Sequence, residues 1–213
     1  MRITKAVKQQ MLELLEQHYQ HTTTALQYST PFELLIAVIL SAQCTDVRVN
    51  IITTRMFPQY NTPDRILELG QAGLEEEIRD CGLFRSKAKN IIATCQILCH
   101  EYSGQVPDTF EELIKLPGVG RKTANVLLSQ LFGIPAIAVD THVFRVANRL
   151  KLATGDTPLA VEQGLMRAIP RDKWGDAHHW LIWHGRKICK AASPACTICP
   201  LQLLCPSSKV KSN

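Results

Sequence analysis

The sequence predicts an all-α fold, and three observations carry that prediction. No stretch shows the apolar–polar alternation of a half-buried strand. Apolar residues instead recur at helical spacing through most of the chain's 213 residues. The breaks between these runs carry helix start and stop residues: Thr before Pro, Asp as an N-cap candidate, and Gly. Hydrophobic residues make up 46% of the chain, enough for a sizeable core. No run of 18 apolar residues is present, so no membrane-spanning helix is expected. Met1–Lys5 opens into an amphipathic helix rather than a secretory leader, and the expected location is cytoplasmic, where thiols stay reduced.

The elements follow in order. Thr4 caps a helix with Val7, Met11, Leu14 and Leu15 on one face, and His21–Thr24 breaks it. Thr30-Pro31-Phe32-Glu33 is a strong start: N-cap, Pro at N1, Glu at N3. That apolar helix runs to about Ser41, and Ser41-Ala42-Gln43-Cys44-Thr45-Asp46 is a polar loop before the next. Thr62-Pro63 starts a helix that stops near Gly70. A short acidic helix spans about Leu74–Asp80 and ends at Gly82, and another runs from Ser86 to Tyr102. Pro107-Asp108 leads into a helix ending at Leu116-Pro117-Gly118-Val119-Gly120-Arg121-Lys122-Thr123-Ala124. After Gly133-Ile134-Pro135, the run Ala136–Val139 ends at Asp140, an N-cap candidate for a helix with Val143, Val146 and Leu150. Thr157-Pro158 starts one more, and Ala177–Ile188 is the last long helix. Ser207–Asn213 reads as a disordered tail. The breaks near His21 and at Gly133–Pro135 predict two helical domains: residues 25–135, and residues 1–24 together with 136–213.

The hairpin is the first functional signal. Two glycines spaced G-x-G between helical runs make a helix–hairpin–helix. Backbone N–H groups at the positive end of a helix dipole bind an anion, and Arg121 and Lys122 stand at that mouth. A nucleic-acid phosphate is the natural guest; the other reading is a plain αα-corner. Charge agrees with the first: residues 1–114 hold 10 Lys/Arg against 14 Asp/Glu, whereas residues 115–213 hold 14 against 5. A basic half suggests a polyanionic partner.

The second signal is Cys189, Cys196, Cys199 and Cys205, spaced C-x6-C-x2-C-x5-C within 17 residues. Four thiols so close in a reducing compartment imply a metal centre. Zinc sites usually show two close cysteine pairs, and only one C-x2-C is present. One loop folding four thiolates around a cubane fits an iron–sulfur cluster better. Cys44, Cys81, Cys95 and Cys99 read as small buried hydrophobes. His178, His179 and His184 read as structural, with no second ligand set beside them.

The hairpin, Val139-Asp140-Thr141-His142-Val143, the four-cysteine loop, Leu40-Ser41-Ala42-Gln43, Gly82-Leu83-Phe84 and the His178–Gly185 helix together resemble endonuclease III over nearly the whole chain. The resemblance implies a two-lobed all-α DNA glycosylase, with β-lyase activity, acting on oxidised pyrimidines or abasic sites in double-stranded DNA. It implies a [4Fe-4S] cluster held by Cys189, Cys196, Cys199 and Cys205, and a cleft between lobes for a flipped base. It implies Lys122 as the covalent nucleophile and Asp140 as the carboxylate that accepts its proton or stabilises the cationic sugar. Gln43 and Leu83 match the family's gap fillers. Gly118, Gly120, Arg121, His142 and Lys190 are the remaining expected DNA contacts, although the cluster loop carries only this one lysine where relatives often carry several basic residues. Partial burial and the helix end are expected to supply some free Lys122 amine. The protein is expected to be a monomer. Two alternatives stay open. An adenine-mismatch glycosylase of the same superfamily shares the cysteine spacing, but those enzymes lack the lysine and carry an extra C-terminal domain. A non-catalytic DNA-binding hairpin module would need neither Lys122 nor Asp140.

Overall fold

A computed structural model describes residues 3–210. Those residues form ten α-helices, with two short 3-10 turns and no strand among them. The helices are α1 Lys5–Tyr19, α2 Pro31–Ser41, α3 Asp46–Met56, α4 Pro63–Glu77, α5 Phe84–Glu101, α6 Phe110–Leu113, α7 Arg121–Phe132, α8 Thr141–Leu150, α9 Pro158–Ala168 and α10 Trp174–Lys187. Two compact units result: Ala25–Phe132, and Met1–Thr24 with Gly133–Asn213.

Short polar caps start most helices. Thr4, Thr30, Thr45, Thr62, Thr109, Asp140 and Thr157 each accept a backbone N–H three residues on. Each such cap is worth about 1 kcal/mol. At α2, Glu33 also reaches back and accepts the Ser29 N–H at 2.6 Å. Pro31, Pro63 and Pro158 occupy the first turns, where a missing N–H costs nothing.

In the first unit α2 is the central rod. Phe32 to Leu40 are all buried, and α3, α5 and α7 pack around it. α4 bends at Gly70 (φ 71°), where the sequence predicts a stop. α5 begins at Phe84, two residues before the predicted start, because Leu83 caps it in a left-handed conformation with no side-chain bond. In the second unit, Met11 and Leu15 of α1 pack with Val143 and Val146 of α8, Leu165 of α9 and Trp180 and Leu181 of α10. Fully burying side chains of this size contributes about 1.5–3 kcal/mol each.

The predicted disordered tail is corrected at its start. Ser207 Oγ donates to the Arg149 carbonyl at 2.9 Å, and the chain turns there. Residues 211–213, like Met1 and Arg2, lie outside the described residues.

Candidate nucleic-acid interface and cysteine centre

The hairpin is a type II turn. The Val119 N–H donates to the Leu116 carbonyl at 3.0 Å. Pro117 holds the second position and Gly118 the third, at φ +84°, which only glycine adopts without strain. Thr94 Oγ1 donates to the Pro117 carbonyl at 2.9 Å, tying the turn to α5. A Cβ on Gly118 would stand 3.3 Å from Asn90 Cβ and 3.4 Å from Ile39, so the hairpin presses on its own unit there. Gly120 differs from the sequence-based reading. Its φ is not left-handed, and a Cβ there would meet nothing within 4 Å. Neither the turn nor packing requires glycine at 120. The open space above it is where a ligand could approach the backbone closely.

Gly120 gives its carbonyl to the Ala124 N–H at 2.9 Å, so α7 starts directly from the hairpin. Arg121 and Lys122 are exposed in its first turn. The Arg121 guanidinium sits 5.0 Å above the Phe110 ring, which holds it beside the mouth. The exposure of Lys122 corrects the expectation of partial burial. Lys122 stands in the first turn of the 12-residue α7, at the positive end of its dipole.

Gln43 and Leu83 are both exposed, and both hold left-handed backbone, φ 54° and φ 60°. That conformation costs a non-glycine residue about 1–2 kcal/mol. Leu83 is 58% exposed at its loop tip. Their loops touch: a Cβ on Gly82 would stand 3.3 Å from the Gln43 carbonyl oxygen. Sequence places both residues in loops; it does not reveal the shared strain or the contact.

In the second unit, Asp140 is the N-cap of α8, and its Oδ1 accepts the Val143 N–H at 2.8 Å. His142, half-buried, lies one turn from Arg145, whose Nη2 donates to His142 Nδ1 at 3.2 Å. Since arginine has no acceptor, Nδ1 is the bare nitrogen and the ring carries its hydrogen on Nε2.

The four clustered cysteines are brought together. Cys189, Cys196, Cys199 and Cys205 all line one cavity of about 80 Å³, with His184, Ile188 and Pro194. No group of three or more Cys, His, Asp or Glu is close enough to hold a single ion among the described residues. Four thiols lining one chamber form a donor set of the kind that binds a metal centre. The ring of His184, buried on α10, points at this chamber. Its Nδ1 is hydrogen-bonded with the Tyr19 hydroxyl at 3.2 Å, and its Nε2 lies 3.7 Å from Cys199 Sγ. Burial pushes the phenol up to about 12 and the imidazole down to about 4, so both are neutral near pH 7.

Two arginines of α8, which sequence reasoning missed, clamp this loop. Arg145 donates to the Cys189 and Gly185 carbonyls, each at 3.0 Å. Arg149 donates to the Lys190 and Ala191 carbonyls, each at 2.8 Å, and to Cys189 Sγ at 3.4 Å. Lys190 itself is exposed. Their i, i+4 spacing on a helix beginning at Asp140 was the available signal. Through Arg145 the loop is linked to His142 and so to the α8 N-terminus. A separate hollow of about 670 Å³, lined by Lys5, Lys8, Leu152 and Arg167, contains none of these residues.

The HhH-GPD superfamily base excision DNA repair protein family matches residues 36–171. Endonuclease III of Rickettsia conorii is 56% identical over 195 residues, covering 92% of this chain and 93% of that protein. Endonuclease III of Escherichia coli K12 is 50% identical over 203 residues, covering 95% and 96%. A structure of a trapped endonuclease III–DNA covalent intermediate superposes with a TM-score of 0.93 at 48% identity, covering 97% of each chain.

Proposed function

We propose, from the premise that the chain belongs to the endonuclease III family within the HhH-GPD superfamily of base excision DNA repair proteins, that it removes oxidised pyrimidines from duplex DNA and cleaves the resulting abasic site by β-elimination. The observation that carries this reading is the hairpin mouth: Gly120 left open without a structural need for glycine, next to exposed Arg121 and Lys122 at a helix N-terminus. A duplex phosphate on the Gly118–Gly120 backbone would bring the sugar of a flipped nucleotide to Lys122. No helix among the described residues is long and apolar enough to cross a membrane.

The neutral Lys122 amine attacks C1′ and the glycosidic bond to the base breaks. The carboxylate of Asp140 accepts the lysine proton or stabilises positive charge on the sugar as the base leaves. The sugar ring then opens at the C1′–O4′ bond, O4′ taking a proton and the lysine nitrogen forming an iminium with C1′; loss of a proton from C2′ then expels the 3′ phosphate. Asp140 keeps its N-cap bond through Oδ1, so one residue serves fold and chemistry. Arg121, His142 and Lys190 are assigned to phosphate and sugar contacts, which position DNA without reading its sequence. The test is a duplex with one abasic site: nicking that leaves a 3′ unsaturated aldehyde and a 5′ phosphate is expected, and an uncut strand would overturn the assignment.

Gln43 and Leu83 fill the hole that a flipped base leaves. An amide can replace pairing, and an apolar wedge can replace stacking. Strained backbone at two adjoining exposed tips fits residues held ready for insertion. Gln43→Ala or Leu83→Ala should slow excision from a lesion duplex more than nicking at a preformed abasic site. With no base left to extrude, the abasic site avoids part of an unstacking cost of a few kcal/mol. Equal losses on both substrates would assign these residues to the fold instead.

The cysteine chamber is assigned to a [4Fe-4S] cluster on Cys189, Cys196, Cys199 and Cys205. When bound, the cluster ties the loop covalently to the end of α10. Arg149 and His184, which also line the chamber, orient Cys189 and Cys199. Purified protein should be brown, with about four irons and matching sulfide per chain, and Cys199→Ala should lower the folded yield. Stoichiometric zinc in protein made with ample iron would contradict this.

A further inference from the structure

We propose that Cys44 and Cys81 form a peroxide-sensitive thiol pair, whose disulfide would tie the loop carrying Gln43 to the loop carrying Leu83. Cys81 is 2% exposed and Lys87, on α5, is 4% exposed. Lys87 Nζ donates to Cys81 Sγ at 3.0 Å and to the Leu40 carbonyl at 2.7 Å. Cys81 Sγ in turn lies 3.3 Å from the same carbonyl. Lys87 thus brings a buried amine to a carbonyl and a sulfur rather than to a carboxylate. A buried amine needs hydrogen-bond partners, and here they are the Leu40 carbonyl and the Cys81 sulfur. Cys44 follows Gln43, whose carbonyl oxygen lies against Gly82, the residue after Cys81. Burial raises the Cys81 thiol above its ordinary range, while Lys87 acts in the other direction. Cys81 therefore rests as a thiol, with a cation placed to hold its thiolate during exchange.

Access and geometry divide the roles. Cys44 is half-buried and within reach of solvent, whereas Cys81 is enclosed. A peroxide transfers one oxygen to the Cys44 sulfur, giving a sulfenic acid and one water. The Cys81 sulfur then displaces that oxygen, which leaves with the Cys81 proton as a second water. Two electrons pass from the sulfurs to the O–O bond and one S–S bond forms. The two segments are already in contact at Gly82 and the Gln43 carbonyl, which places the two cysteines on adjoining stretches of chain.

The consequence for repair rests on the function proposed above. Gln43 adjoins Cys44, and Leu83 follows Cys81 by two residues. A cross-link would fix the spacing of the two gap fillers, slowing excision from a lesion duplex several-fold while abasic nicking changes less. The pair itself is tested without DNA. The intact, cluster-loaded protein is treated with hydrogen peroxide, its free thiols are alkylated, and it is digested without reduction. The Cys44 and Cys81 peptides are expected to appear as one linked species that dithiothreitol separates. In Cys44→Ser the link should be absent, with Cys81 alkylated once the chain is unfolded. Both thiols alkylated after peroxide in the unsubstituted protein, or Cys81 joined to another cysteine or to Lys87, would overturn the proposal. Failure there leaves the repair activity standing, and failure to cut lesion DNA leaves the mapped link standing.

Discussion

Asp140→Asn should lower base excision by about two to four orders of magnitude while leaving the fold in place. Asparagine caps a helix about as well as aspartate, so the bond now made by Oδ1 to the Val143 N–H persists. What disappears is the negative charge, which is also the proton acceptor. Asp140→Ala separates the two roles: it should lose the same activity and in addition about 1 kcal/mol of stability through the missing cap. Single-turnover excision and thermal unfolding, measured on both variants, read the two effects independently. An Asp140→Asn protein that excises at the unsubstituted rate would reduce Asp140 to a helix cap.

Lys122→Ala should bring abasic-site cleavage down to background. Deleting a covalent nucleophile has cost as much as about 10⁶-fold in another enzyme. The substitution touches no packing, because Lys122 is exposed at the start of α7. Surface changes of this kind are usually neutral within about 0.5 kcal/mol. The variant should keep its melting temperature, its iron content and its affinity for DNA, and fail only in chemistry. A variant that still cleaves would move the nucleophile elsewhere; one that unfolds would show a structural role that the exposed side chain gives no reason to expect.

Much of this was legible because it is local. Threonine, aspartate and proline at helix starts act within one turn, so Thr30-Pro31, Thr62-Pro63, Thr157-Pro158 and Asp140 were readable as caps and are found as caps. Pro117-Gly118 specified a turn whose geometry follows from two residues. What was not legible depends on residues far apart in the chain. The exposure of Lys122 depends on what packs beside α7. The role of Gly120 is visible only when the space around it is known to be empty. The approach of His184 to Cys199, oriented by Tyr19 from the first helix, joins residues 165 positions apart. Leu83 as a left-handed cap breaks the local rule that polar residues start helices, and it does so at a loop tip assigned to DNA. Cys81 reads as an ordinary buried cysteine until Lys87 is seen 3.0 Å away.

The most direct test of the account is reductive trapping with peptide mapping. Borohydride added to the protein during reaction with lesion-containing duplex reduces any Schiff base to a stable amine, freezing the protein onto DNA. Digestion of the adduct and mass spectrometry then locate the attached lysine. The account requires the adduct on Lys122 and none formed by Lys122→Ala; an adduct on Lys115, Lys151 or any other lysine would contradict it.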